Sequence, residues 1–193
     1  MNDNQIIPQL KEGNETAFKE LVDTFQEKVL NTCLGFVPNI HDAEDIVQDV
    51  FIEVYRSIDK FRGDSKLSTW IYRITTTKCL EHLRAKKRQK RKSFFQSLIG
   101  MHENADRIKA YDFNHPGVVL ENQERTKVLY EAIEKLPENQ RVAFTLHKIE
   151  GLSYQEITKI MENSLSSVES LMFRAKKNLK KSLGDFYREN IQD

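Results

Sequence analysis

Residues 153–183 read SYQEITKIMENSLSSVESLMFRAKKNLKKSL, and two helix starts stand within them a short distance apart. Ser153-Tyr154-Gln155-Glu156 is a capping-box pattern: the Ser153 hydroxyl accepts from the amide of Glu156, and the Glu156 carboxylate reaches back to the amide of Ser153. Ser166-Ser167-Val168-Glu169 repeats it. The spacing predicts one helix over 153–161, a second from 166 to about 183, and a connection at 162–165, which together make a helix-turn-helix. Along the second helix Val168, Leu171, Met172, Ala175, Leu179 and Leu183 form one apolar stripe. At about 100° per residue, Ser167, Ser170, Arg174, Lys177 and Lys181 fall opposite it. That outer face is small at its N-terminal end and basic afterwards, as a recognition helix requires: short polar groups let the backbone approach base edges, and Arg and Lys reach bases or phosphates. Arg174, Lys176, Lys177, Lys180 and Lys181 equally suit an ordinary solvated helix whose negative end they complement.

Upstream of this motif, helices are expected over 121–136 and 138–150. Periodicity weakens from 93 to 117, where Asn114-His115-Pro116-Gly117 is a breaker cluster, so an interdomain linker is placed there, with Phe94, Phe95, Leu98 and Ile99 as apolar residues able to dock. In the first half, Phe18, Leu21, Val22, Phe25, Val29, Cys33 and Val37 recur at threes and fours and predict a helix over 16–37 that Pro38 ends. A second helix opens on Asp42, Glu44 and Asp45, acids suited to the positive end of the dipole, buries Ile46, Val47, Val50, Phe51, Val54 and Ile58, and stops near Phe61. A third starts at Leu67 and enters the basic run Arg84, Lys86, Lys87, Arg88, Lys90, Arg91 and Lys92. Leu67, Trp70, Ile71 and Ile74 mark one side of it and Leu80 and Leu83 the other, which predicts contact from two directions.

The chain has 193 residues, 39% hydrophobic and 31% charged, with only seven Gly and four Pro to make turns. The fold class expected is all-α: two small helical domains joined by a flexible linker, the second a helix-turn-helix domain. The net charge of +1 hides a strong asymmetry. Residues 1–64 carry 6 Lys/Arg against 13 Asp/Glu, a balance of −7, and residues 65–92 carry 10 against 1, a balance of +9. One segment suits a basic protein surface and the next suits phosphate. Cys33 and Cys79 each sit alone in a helical pattern and read as buried, reduced thiols. No signal peptide and no membrane-spanning apolar run are legible, which predicts a cytoplasmic protein without membrane insertion.

An enzyme would need a cluster of acids, bases or metal ligands. None of the five histidines follows a Glu at the spacing of helical di-metal sites, and there is no HExxH, GxSxG or Walker loop. His41 beside Asp42, Glu44 and Asp45 is explained by acids at a helix start. No catalytic residue, metal or cofactor is therefore expected.

The residues together resemble an extracytoplasmic-function (ECF) sigma factor of the bacterial sigma-70 family. The resemblance rests on 42–51 (DAEDIVQDVF), 67–74 (LSTWIYRI) with His82-Leu83-Arg84, 136–141 (LPENQR), 150–157 (EGLSYQEI) and 174–179 (RAKKNL), five blocks in order over nearly the whole chain. It implies a transcription initiation factor whose partners are core RNA polymerase, through its clamp and flap, and promoter DNA; many relatives also have an anti-sigma partner. By this resemblance residues 1–92 are the region 2 domain, which holds the clamp and opens the minus-10 element, 93–117 the linker, and 118–193 the region 4 domain, which reads the minus-35 element. The linker would run through the RNA exit path of polymerase.

The clamp face implied is Asp45, Gln48, Asp49, Ile52 and Arg56, which lie opposite their helix's core stripe; an ordinary solvated helix with one exposed isoleucine has the same pattern. For minus-10 DNA, the loop Arg62, Gly63, Asp64, Ser65 and Lys66 corresponds to the family's base-capturing loop. Lys78, Arg84, Lys86, Lys87 and Arg88 are the implied phosphate contacts. Thr77 and Glu81 stand on the same helix where relatives often carry Asn and Asp, so minus-10 preference is open to change. Trp70 is read as a core anchor ahead of a stacking platform. The minus-35 set is Tyr154, Gln155, Ser166, Ser167, Ser170, Phe173, Arg174 and Lys177, with Glu169 and Leu171 standing where Lys or Arg is frequent. The competing reading is a conventional helix-turn-helix regulator with an N-terminal sensing or dimerisation domain, which binds a palindrome as a dimer without polymerase.

Overall fold

A computed structural model describes residues 2–98 and 123–190, with side chains at 2–93 and 127–184. All regular elements among the described residues are helical: α1 (Asp3–Lys11), α2 (Glu15–Leu34), α3 (Ile40–Ser57), a 3-10 turn (Ile58–Lys60), α4 (Leu67–Leu98), α5 (Gln123–Glu134), α6 (Glu138–Lys148), α7 (Tyr154–Met161) and α8 (Leu165–Asn190). The first four make one domain and the last four another. Most of 93–117 lies outside the described residues, as does any docking of Phe94, Phe95, Leu98 and Ile99.

In the first domain α2 and α3 pack on each other and on α4. Asn14 caps α2 by accepting from the Ala17 amide at 3.0 Å, and Asn39 caps α3 by accepting from Asp42 at 3.0 Å. Between the caps, Leu21, Val29, Cys33, Ala43, Val50 and Val54 are almost completely shielded from solvent. Each buried Leu or Val side chain contributes about 1.5–3 kcal/mol of transfer free energy, so these ladders hold the three helices together. α3 opens at Ile40, two residues before the acids, because Asn39 supplies the cap. α2 ends at Leu34, three residues short of the expected Val37. The amides of Phe36 and Val37 both turn back to the Cys33 carbonyl at 2.8 Å, and Val37, which precedes Pro38, is disfavoured in the helical region. Val37 stays buried outside the helix, which is why the apolar spacing ran on past the helix end. α1 is an element the periodicity did not reveal; it buries Ile6 and Leu10 against the same core.

In the second domain α8 is the spine, with α5, α6 and α7 packed along it. Val168, Met172, Ala175 and Leu179 of the expected stripe are buried, and Leu171 and Leu183 are partly buried. The capping box at Ser153 is complete: its hydroxyl accepts from the Glu156 amide at 3.3 Å, and the Glu156 carboxylate accepts from the Ser153 amide at 2.9 Å. The second box is not formed. Ser164, two residues earlier than expected, caps α8 by accepting from the Ser167 amide at 3.2 Å, and Ser166 lies inside the helix. Glu162 closes α7 in the left-handed region at φ 54°. That conformation turns the chain within two residues and brings Ser164, not Ser166, to the start of α8. One apolar cluster runs from Ile6 of α1 through both domains to Met172 of α8.

Candidate nucleic-acid interface

The outward side of α8 is open. Ser166, Ser170, Arg174 and Lys177 are exposed, and Phe173 is 69% exposed between them. Ser166, Glu169, Ser170, Phe173 and Arg174 line one shallow groove. A large ring left in water beside small hydroxyls and a guanidinium offers a stacking or methyl-contacting surface next to hydrogen-bond donors. Ser167 is half-buried and its amide is spent on the cap. At the start of α7, Gln155 is exposed, whereas the half-buried Tyr154 packs edge-on to His147 at 4.9 Å. His147 is itself hydrogen-bonded through Nδ1 to the Leu152 carbonyl at 2.8 Å. Tyr154 is thus fixed by the domain's own packing.

On α4 the expected phosphate ligands divide. Lys78 pairs with Glu53 at 3.1 Å and Glu81 at 3.7 Å, Lys86 with Asp42 at 2.5 Å, and Arg84 with Glu138 of the second domain at 2.8 Å. Lys87 and Arg88 are exposed. The Glu53 carboxylate holds the Lys78 ammonium above its ordinary value, and Arg84 holds the Glu138 carboxyl below the usual range. Asp42, read in the sequence only as a dipole partner, thus also neutralises a cation more than forty residues away in the chain. Thr77 is exposed and donates to the Arg73 carbonyl at 2.8 Å. In the loop before α4, Arg62 and Asp64 pair at 3.2 Å, Gly63 takes φ +81°, Lys66 is exposed and Ser65 is half-buried. Trp70 is half-buried with its ring 5.2 Å from that of Phe61, at the foot of this loop.

Asp45, Gln48, Asp49, Ile52 and Arg56 are all exposed on α3, Ile52 at 46%. Sequence reading omitted Tyr55, 58% exposed and edge-on to Phe18 at 5.2 Å. Its position three residues beyond Ile52, one turn along the same face, was the available signal.

The two domains meet on the α4 side of the first. Arg73 donates to the Lys159 carbonyl at 2.6 Å, at the end of α7, and pairs with Glu162 at 2.8 Å. The Tyr72 hydroxyl donates to Glu150 at 2.8 Å, while the other Glu150 oxygen is buried without a partner among the described residues. Burial raises the Glu150 carboxyl above its usual range, against the opposing pull of the Tyr72 hydroxyl, and burial beside Glu150 pushes the Tyr72 phenol up. Gly35 sits against α6: a Cβ there would meet Thr145 and lie 2.8 Å from Ile149. Arg141, buried in α6, reaches both the Phe36 and the Leu136 carbonyls at 3.4 Å. The expected contact of α4 from two directions is this: α2 and α3 on one side, α7 on another. Arg73, Tyr72 and Glu150 carried no periodic signal, because each meets its partner across a separation of more than seventy residues.

Cys33 and Cys79 are free and buried, as read, yet they are not apart: their sulfurs lie 3.7 Å from each other between α2 and α4. Among the described residues no group of three or more His, Cys, Asp or Glu is placed to hold a metal ion, and no helix is long and apolar enough to cross a membrane.

Residues 21–89 match the family described as Sigma-70 region 2, and residues 126–179 match Sigma-70, region 4. The chain is 33% identical over 187 residues to the RNA polymerase sigma-H factor of Pseudomonas aeruginosa, covering 97% of this chain and 96% of that protein. It is 34% identical over 177 residues to the ECF RNA polymerase sigma-E factor of Escherichia coli K12, covering 91% of each. Among solved structures, CnrH in complex with the cytosolic domain of CnrY shares the fold with a TM-score of 0.68, at 22% identity over 95% of this chain and 97% of that one. The chain belongs to the ECF group of the sigma-70 family, transcription initiation factors that act with core RNA polymerase at promoters. The region 2 match covers the segment in which a conventional regulator would carry its sensing or dimerisation domain.

Proposed function

We propose that residues 1–92 grip the polymerase clamp and open the minus-10 element, that 93–117 link the domains, and that 118–193 read the minus-35 element and meet the flap. The observation that carries this division of labour is the open face of α8, where Ser170, Phe173, Arg174 and Lys177 stand exposed together on a capped helix-turn-helix. Gln155 and Ser166 flank them; Tyr154 and Ser167 support the reading from behind. The clamp-binding face is Asp45, Gln48, Asp49, Ile52 and Arg56, extended by Tyr55. Its acid-and-apolar character suits a protein partner, with the exposed side chains as anchors and the acids steering a basic surface.

For minus-10 DNA, Arg62 to Lys66 capture an unpaired base and Thr77 and Glu81 border it. Lys87 and Arg88 meet phosphates directly. Lys78, Arg84 and Lys86 reach phosphate by exchange, each leaving its carboxylate pairing for the polyanionic backbone. For Arg84 that exchange removes one of the contacts between the domains, since its carboxylate is on α6. The protein works in the cytoplasm, where polymerase and chromosome are, with an anti-sigma factor among its partners.

Run-off transcription with purified bacterial core polymerase, with and without this protein, on genomic fragments tests the reading. Protein-dependent starts that share two spaced promoter elements are the expected result. Duplex binding as a dimer without polymerase, and no new starts, would replace it.

A further inference from the structure

The loop 62–66 is held at both ends by one helix that is remote in sequence. At the leading end, the Phe61 carbonyl accepts from the Lys11 ammonium at 2.7 Å. At the trailing end, the Leu67 amide, first in α4 and without a partner inside its own helix, donates to the Asp3 carboxylate at 2.9 Å. Asp3 and Lys11 are the first and last residues of α1. α4 has no acid in its own first turn, so Asp3 also supplies the negative charge that its N-terminus favours. Ile6 and Leu10, 4% and 5% exposed, sink the middle of α1 into the core. The two charged ends are therefore mounted on a rigid bar.

Inside the loop the restraints are local and weak by comparison. Arg62 and Asp64 pair at 3.2 Å, but their side chains are 85% and 76% exposed. Gly63 has a left-handed φ and open space around it. The loop's interior is thus free to adapt while its anchor points are fixed from outside. A base pocket in such a loop discriminates only as well as its two walls are spaced, and fixing the anchors beforehand removes an ordering cost from base capture.

We propose that α1 is the positioning element of the base-capturing loop: Asp3 and Lys11 set the span and direction of its ends and so sharpen discrimination among unpaired minus-10 bases. This rests on the reading of 62–66 as that loop. Neither residue touches DNA in this scheme; both act through the backbone of Phe61 and Leu67.

The test uses the full chain assembled with bacterial core polymerase. The probe is fork-junction DNA from a promoter mapped by run-off transcription, carrying each of the four bases in turn at every single-stranded minus-10 position. The quantity read is the ratio of affinities between the best and worst base at each position. Asp3→Ala, which removes the acceptor, and Lys11→Met are expected to lower that ratio by about threefold or more at one position, while the affinities for core polymerase and for a minus-35 duplex stay within experimental error. Lys11→Arg restores it. A general loss of structure would weaken every affinity together and leave the ratio unchanged, which counts against the proposal. Arg62→Ala and Asp64→Ala are measured alongside. If they change the base ratio and the α1 variants do not, the positioning role is overturned and the loop reading stands. If neither set changes it, the loop reading itself fails and takes the positioning role with it.

Discussion

The two helices proposed to face DNA present opposite states of the same chemistry. α8 turns small hydroxyls, an exposed ring, Arg174 and Lys177 directly to solvent. α4 carries the denser charge, yet Lys78, Lys86 and Arg84 are matched to Glu53, Asp42 and Glu138, and Arg73 is spent on the end of α7. The acids of the first 64 residues therefore serve partly as internal counterions for the basic segment that follows. Sequence density of charge does not measure the charge available to a partner. The exposed cations of α4 that no acid among the described residues matches are confined to its run from Lys87 onward, whereas on α8 Arg174 and Lys177 stand open beside the ring and the hydroxyls.

The largest effect should come from the open side. Arg174→Ala with Lys177→Ala should weaken binding of a minus-35 duplex by about tenfold or more, since a base-contacting Arg is worth about 1–3 kcal/mol and loss of a phosphate contact lowers the salt slope by about one. Fluorescence anisotropy across a salt series measures both, and an unchanged slope would remove Lys177 from the phosphate set. Next comes the joint that covers α4. Gly35→Ala places a methyl group against Thr145 and Ile149; overpacking of this kind costs about 1–3 kcal/mol. Separation of the domains, read as an increased radius of gyration in small-angle scattering, is expected, with the helical content of each domain retained.

A smaller, pH-dependent effect belongs to Glu150. Burial raises its carboxyl in the folded protein, so folding favours its protonated form. Its contribution to stability is complete below the unfolded value of about 4.3 and is lost as pH rises through the raised folded value. As pH falls from neutral toward that unfolded value the joint should tighten, while Glu138, held low by Arg84, resists protonation. Glu150→Gln, neutral throughout, should flatten this part of the dependence of thermal midpoint on pH; a slope equal to the parent's would exclude Glu150 as its source. The smallest effect is expected for Glu138→Gln. It frees Arg84 from an exposed pair of the kind that contributes little, so single-stranded minus-10 affinity should rise roughly two- to threefold at low salt and not at all at high salt.

Most of the helical framework was legible because its signals are short-range. The Ser153 box, the apolar stripe of α8 and the ladder Leu21-Phe25-Val29-Cys33 all connect residues within a turn or two of each other, and the structure uses them as read. The errors fell where a neighbour along the chain was not the neighbour in space. Val37 kept helical spacing after the helix had ended, because the turn through Phe36 delivers it to the same core. Ser166 matched a capping pattern that Ser164 fulfils, because the left-handed Glu162 shortens the connection. α1, nine residues with Pro8 inside, is too short for periodicity to stand out.

The sequence by itself determined the helices after α1, their two groupings, the helix-turn-helix and the family, because hydrophobic spacing, capping and ordered motif blocks are properties of the chain read locally. Only the tertiary structure decided which charges are free. Pairing of Arg84 with Glu138, of Lys86 with Asp42, of Tyr72 with Glu150, and of Asp3 and Lys11 with the two ends of one loop depends on distances closed by folding between residues 44 to 78 positions apart. Coulomb and hydrogen-bond energies follow separation in space, and a pattern along the chain carries no record of that separation.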